Sequence, residues 1–118
     1  MAIPHAASGE LIDLRQPGGI LAHPQSHAIC KTDDLEVLRL EIPRQRTVPP
    51  HHVSGDLTVQ CLGGEVDLTA NGQPMRLTPG QMVWLAGGVQ YTITAVEDAS
   101  LLVTIALCHE GEHSNTSI

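Results

Sequence analysis

From Leu35 onward the chain is a succession of short runs in which apolar and polar residues alternate, each closed by a turn-forming pair. LEVLRLEI (35–42) sets Leu38, Leu40 and Ile42 against Arg39 and Glu41, the two-residue period of a strand with one buried face. LTVQCL (57–62), EVDLTA (65–70), PMRL (74–77), MVWLA (82–86), YTITAV (91–96) and SLLVTIAL (100–107) follow. Between them stand Gly63-Gly64, Asn71-Gly72, Pro79-Gly80 and Gly87-Gly88, with Glu97-Asp98 as a turn between the last two runs. Asn-Gly between alternating runs is the strongest short hairpin signal. No stretch of this half sustains a helical period with caps. Short strands at this spacing, with Gly-rich turns, predict an all-β barrel or sandwich.

The remainder of the chain is less regular. Residues up to about Gly9 read as a loose leader, Leu11 to Leu14 as a short first strand, and Gln16-Pro17-Gly18-Gly19 as a turn. Ile20 to Lys31 is ambiguous. PRQRTVPP (43–50) is expected to break the strand before it, because proline cannot donate to a ladder. The division expected is a leader and edge-strand segment over 1–34, a barrel core over 35–108 and a polar tail over 109–118. A length of 118 residues suits one domain with one core.

Composition limits what such a barrel can do. Phe is absent, and Trp84 and Tyr91 are the only aromatic residues. The core must therefore be built from Leu, Val, Ile and Met, with no aromatic platform for stacking bases or sugars. A net charge of −7 repels phosphate backbones, so nucleic acid is not an expected partner. Cys30, Cys61 and Cys108 are odd in number and widely spaced, which implies neither a disulfide framework nor a CxxC site. They are expected to be reduced thiols in a cytoplasmic protein. MAIPHAASGEL lacks the features of a signal peptide, and no apolar run is long enough to span a bilayer.

The region from His51 to about Ala95 resembles the cupin family, small jelly-roll β-barrels. The first cupin motif runs G-x5-H-x-H-x3–4-E-x6-G. With Gly64 on its last glycine, its two histidines fall on His51 and Val53, its glutamate on Leu57, and its leading glycine on Gln45. The second runs G-x5-P-x-G-x2-H-x3-N. With Gly80 on its first glycine, the later positions fall on Ala86, Gly88, Tyr91 and Ala95. TVQCLGGEVDL, LTPGQMVWLAGG and AVEDASLLVTIAL are similar to a group of short, single-barrel bacterial cupins that often lack a full metal set. The resemblance implies an all-β, cupin-type jelly-roll barrel or sandwich in a single domain. It also implies a homodimer, to which the almost continuously apolar SLLVTIAL adds support, since such a strand needs cover on both faces.

The spacing says what would line such a barrel. Positions 51, 53 and 57 share one face of an extended chain, and Leu57, Val59 and Cys61 continue it; Tyr91, Ile93 and Ala95 form a second such row. His51, Val53, Leu57, Val59, Cys61, Trp84, Tyr91 and Ile93 are the expected pocket residues. His51, His52 and Tyr91 are the candidate metal ligands, with Asp56 completing the set if the strand slips by one residue. Val53 and Leu57 offer no lone pair, and a neutral phenol is a poor ligand, so the set is weak. Should a cofactor be present, a divalent transition metal is the one implied. Without it, His51 lines an apolar pocket and bonds Tyr91, Gln60 or the backbone.

Other polar clusters carry less. HEGEH (109–113) formally matches HExxH, but a central glycine and a preceding strand deny it the helix that motif needs. His23, His27 and Cys30 have the spacing of one helical face, but Pro24 interrupts it, and a surface loop is expected rather than a ligand set. Ser54 has no nucleophile elbow around it. Three functions stay open: a small-molecule pocket with a binding or sensing role, a metal-dependent dioxygenase- or isomerase-like enzyme using His51 and His52, and a structural homodimerisation module.

Overall fold

A computed structural model describes residues 5–15, 23–51 and 53–107, and the backbone alone for Pro50 and His51. Among the described residues every regular element is a strand: β1 (Gln25–Lys31), β2 (Leu35–Ile42), β3 (Thr47–His51), β4 (Leu57–Ala70), β5 (Gln73–Leu77), β6 (Met82–Leu85) and β7 (Tyr91–Ala106). All pairings are antiparallel. Among the described residues no helix is long and apolar enough to cross a membrane.

β4, of 14 residues, and β7, of 16, organise everything else. Their ladder runs from Leu57↔Ile105 to Ala70↔Tyr91. Over its first half β2 joins β7, β1 joins β2, and β6 joins β4, giving a half-sheet of order β1-β2-β7-β4-β6. Over its second half β3 joins β7 and β5 joins β4, giving β3-β7-β4-β5. The two halves share β4 and β7, and the ladder between them slips repeatedly from Cys61 to Val66.

That slip corrects the expectation of separate strands divided by Gly63-Gly64 and by Glu97-Asp98. Both pairs lie inside continuous strands. Bulges place extra residues on one strand, bending the sheet without ending it. Gly64 makes the bend: its φ is +76°, and a Cβ there would overlap the Asp98 carbonyl oxygen and lie 2.7 Å from the Ala99 Cα. Asn71-Gly72 closes the β4–β5 hairpin with φ of 52° and 77°, the paired positive values of a type I′ turn.

Alternation decides burial. Leu57, Val59 and Cys61 on β4 and Leu101, Val103 and Ile105 on β7 point inward, as do Val66, Leu68 and Ala70 with Ile93 and Ala95. Fully burying each large aliphatic side chain contributes roughly 1.5–3 kcal/mol. The core contains no Phe and is closed by aliphatic side chains, with Tyr91 as its aromatic member.

Three further expectations change. Leu11 to Leu14 is not a strand. Gln25 to Lys31 is β1, so His27 and Cys30 sit on an edge strand and not in a loop; a bulge separates Ala28 from Cys30. Pro49 and Pro50 do not stop β3. β3 is an edge strand whose register shifts between Val48 and His51, the place where a strand accommodates missing donors.

Candidate functional site

The site is built by two short connections that cross from one half-sheet to the other side by side. His51↔Tyr91 pair at one end and Leu57↔Leu85 at the other. The chain from 52 to 56 joins His51 to Leu57, and the chain from 86 to 90 joins Leu85 to Tyr91. The two are stapled: the Gly88 amide donates to the Val53 carbonyl at 2.7 Å, and the Gly87 amide to Asp56 Oδ1 at 2.9 Å. The Ala106 amide donates to the Asp56 carbonyl at 2.9 Å, tying in the end of β7. The approach is close, since a Cβ on Gly87 would overlap the Ser54 carbonyl oxygen and one on Gly55 the Ala106 carbonyl oxygen.

This arrangement brings positions 51, 53, 57 and 91 to one end of the barrel. Tyr91 stands between His51 on β3 and Ala70 on β4. Tyr91 is 7% exposed, and burial pushes its phenol above the ordinary value. It is therefore a neutral phenol at physiological pH, able to donate one hydrogen bond and accept others. Leu57, Val59, Cys61 and Ile93 continue inward from it and are all buried. Burial likewise raises the Cys61 thiol, whose Sγ lies 3.5 Å from the Gly63 carbonyl oxygen. Val53 packs half-buried against this core. His52 lies outside the described residues, as do the side chain of His51 and the whole HEGEH segment.

Trp84 is not a pocket residue. β6 alternates with Leu85 buried and Val83 half-buried on the inner side, and this turns Trp84 outward, 64% exposed. Its register partner is Thr58, on the outer side of β4. MVWL offers two faces, and nothing in the sequence marks the smaller pair as the inner one. Gln60 belongs to the outer row as well, which removes it as a partner for His51. Asp56 is occupied as the brace between the two connections.

Inward residues that sequence reasoning passed over are Val48 on β3, Met75 on β5, Val83 on β6 and Val89. Each packs against the core while remaining half-exposed. Their parity becomes readable only once the pairing register is known.

Among the described residues no group of three or more His, Cys, Asp or Glu could hold a metal ion. Val53 and Leu57 stand where the cupin motif has donors, and the raised Tyr91 phenol keeps its proton.

A family model for an AraC-binding-like domain matches residues 13–110. The fold is similar to that of a conserved protein of unknown function from Streptococcus pyogenes, with TM-score 0.77 and 21% identity over 92% of this chain and 96% of that one. It is similar to a cupin superfamily protein from Desulfitobacterium hafniense, with TM-score 0.76 and 14% identity over 92% and 100%. An RmlC-like cupin protein from Desulfovibrio desulfuricans gives TM-score 0.71 and 20% identity over 86% and 97%. No curated protein matches the sequence.

Proposed function

The chain belongs to the AraC-binding-like domain family and has the cupin fold, and from this we propose that it binds or senses a small molecule inside the barrel. The ligand is mostly apolar and carries one hydrogen-bonding group. The observation that supports this most is the lining: Leu57, Val59, Cys61 and Ile93 are buried behind Tyr91, while inward residues such as Val53 and Val83 stay half-exposed. An apolar wall with one polar handle selects by shape and by a single hydrogen bond in a dry environment. His51, opposite Tyr91 in the register, supplies a second handle in this reading.

A thermal-shift screen of small phenols, alcohols and lactones tests it. At least one compound raises the melting temperature saturably, and Val53→Trp, which narrows the entrance, abolishes the shift. If no compound of this class binds, or if binding ignores Val53→Trp, the reading fails.

A metal-dependent enzyme using His51 and His52 is the second reading. The placement of His51 opposite Tyr91 favours it; the lack of lone pairs at Val53 and Leu57 opposes it. Metal content of untagged protein truncated after Leu107 decides between them. Stoichiometric metal that disappears in His51→Ala supports the enzyme, and metal-free protein supports the apolar pocket. We further propose that the chain works as a homodimer in the reducing cytoplasm, consistent with Cys30 and Cys61 being free thiols.

A further inference from the structure

We infer that the connection 86–90 is a lid over the interior and that the Asp56 side chain is its latch, a positioning residue that sets how fast a ligand enters and leaves. The lid serves the interior binding site proposed above and rests on that reading.

The interior is shut in this structure. Leu57, Val59, Tyr91 and Ile93 are 2%, 0%, 7% and 0% exposed, so a molecule passes to or from them when part of the wall moves. Much of that wall is ladder. Leu57 is paired with Leu85 on one side and with Ile105 on the other, and parting such strands breaks rows of backbone bonds together. Segments with few bonds and exposed backbone open at lower cost.

The connection 86–90 is such a segment. Ala86, Gly87, Gly88 and Gln90 are exposed, while Val89 is half-buried and packs on the core as a plug. The segment holds its own shape. The Val89 amide donates to the Ala86 carbonyl at 3.2 Å, and Gly88 has a φ of +86°, the positive value that a type II turn requires at its third residue. It therefore swings as a closed turn between the ends of β6 and β7. Among the described residues three bonds hold it down. The Gly88 amide donates to the Val53 carbonyl at 2.7 Å, the Gly87 amide to Asp56 Oδ1 at 2.9 Å, and the Asn71 amide to the Gln90 carbonyl at 3.3 Å.

Asp56 is placed to govern the swing. Val53 and Asn71 contribute backbone groups, whereas Asp56 contributes a carboxylate, and hydrogen bonds to a charged acceptor are roughly twice as strong as neutral ones. Asp56 is itself anchored outside the lid, by the Ala106 amide donating to its carbonyl at 2.9 Å. The latch bond exists when the lid is down, and it stabilises the closed form without touching the ligand. Its loss speeds entry and exit together and leaves affinity nearly unchanged.

Deuterium exchange at the Gly88 amide reads lid opening. Stopped-flow uptake of 2-naphthol, an apolar fluorophore with one hydroxyl, reads traffic past the lid. In the wild type Gly88 exchanges about tenfold or more faster than Val59 in the β4–β7 ladder. Asp56→Ala raises Gly88 exchange and both 2-naphthol rate constants about tenfold, with Val59 exchange and affinity held within about twofold. Asp56→Asn, whose amide oxygen still accepts from Gly87, stays near the wild type. Gly87→Ala, whose Cβ would overlap the Ser54 carbonyl oxygen, props the lid and repeats the Asp56→Ala result. If Gly88 and Val59 speed up equally, Asp56 supports the whole barrel and the latch is overturned. If Gly88 exchange rises while the 2-naphthol rates ignore Asp56→Ala, the lid is not the route. Failure of 2-naphthol to bind any form counts instead against the interior site, whatever Gly88 does. Should neither alanine variant fold, the wild type decides: Gly88 exchanging no faster than Val59 overturns the lid.

Discussion

His51 is the register partner of Tyr91, and Tyr91 is flanked on its other side by Ala70. The end of an edge strand therefore faces the start of the longest strand, next to a small residue.

Tyr91 is the single tyrosine, so its ionisation is read directly by absorbance near the phenolate band. Burial raises its folded value above the ordinary 10.0. A folded value above the unfolded one favours the protonated form in the native state. The associated stability is complete below the unfolded value and is lost as pH rises through the folded one. The native midpoint is expected above that of the denatured protein, and Tyr91→Phe is expected to lessen alkaline destabilisation. Coincident midpoints for native and denatured protein would contradict a buried phenol.

Gly64 and Gly72 both have positive φ, but only Gly64 faces backbone. Gly64→Ala combines strain with overlap against Asp98 and Ala99 and is expected to cost about 3 kcal/mol. Gly72→Ala meets open space and is expected to cost about 1 kcal/mol. Urea denaturation of the two variants checks the order; equal costs would mean that the bend is not fixed by Gly64.

Arg39 and Glu41 share Ser100, whose hydroxyl donates to Glu41 Oε2 at 3.0 Å. Arg39→Met leaves that carboxylate buried without its cation and is expected to destabilise the protein by about 3 kcal/mol. Adding Glu41→Leu removes the orphaned charge and is expected to restore most of the loss. A double-mutant cycle showing simple additivity would contradict the coupling.

Cys61 is buried and its thiol is pushed up by burial, while Cys30 is half-buried on an edge strand. The thiolate is the reactive form. In native protein at neutral pH, alkylation followed by peptide mapping is expected to label Cys30 and to spare Cys61 until the barrel opens. Equal rates at the two thiols would place Cys61 in contact with solvent.

The strand content of the chain was legible wherever alternation was clean. LEVLRLEI is β2 over the same residues, and the Asn71-Gly72 hairpin is where its φ requirement put it. Glycine pairs were the main source of error. Gly63-Gly64 and Asn71-Gly72 look alike in sequence, but one bends a strand and the other ends it, a choice made by the partner strand and not by local chemistry. β1 and β3 were obscured because edge strands tolerate proline and irregular register. The inward rows through Leu57 and Tyr91 follow from parity alone, whereas the exposure of Trp84 depends on which of two alternating faces of MVWL meets β4.

β7 lies at the centre of both half-sheets, between β2 and β4 in one and between β3 and β4 in the other. During synthesis the β3-β7-β4-β5 layer lacks its middle strand until the start of β7, from Tyr91 to Glu97, has emerged, and the β1-β2-β7-β4-β6 layer lacks its own until Ala106 has. The apolar rows of β2 and β4 thus find their central partner late and across long stretches of sequence, a topology expected to fold slowly.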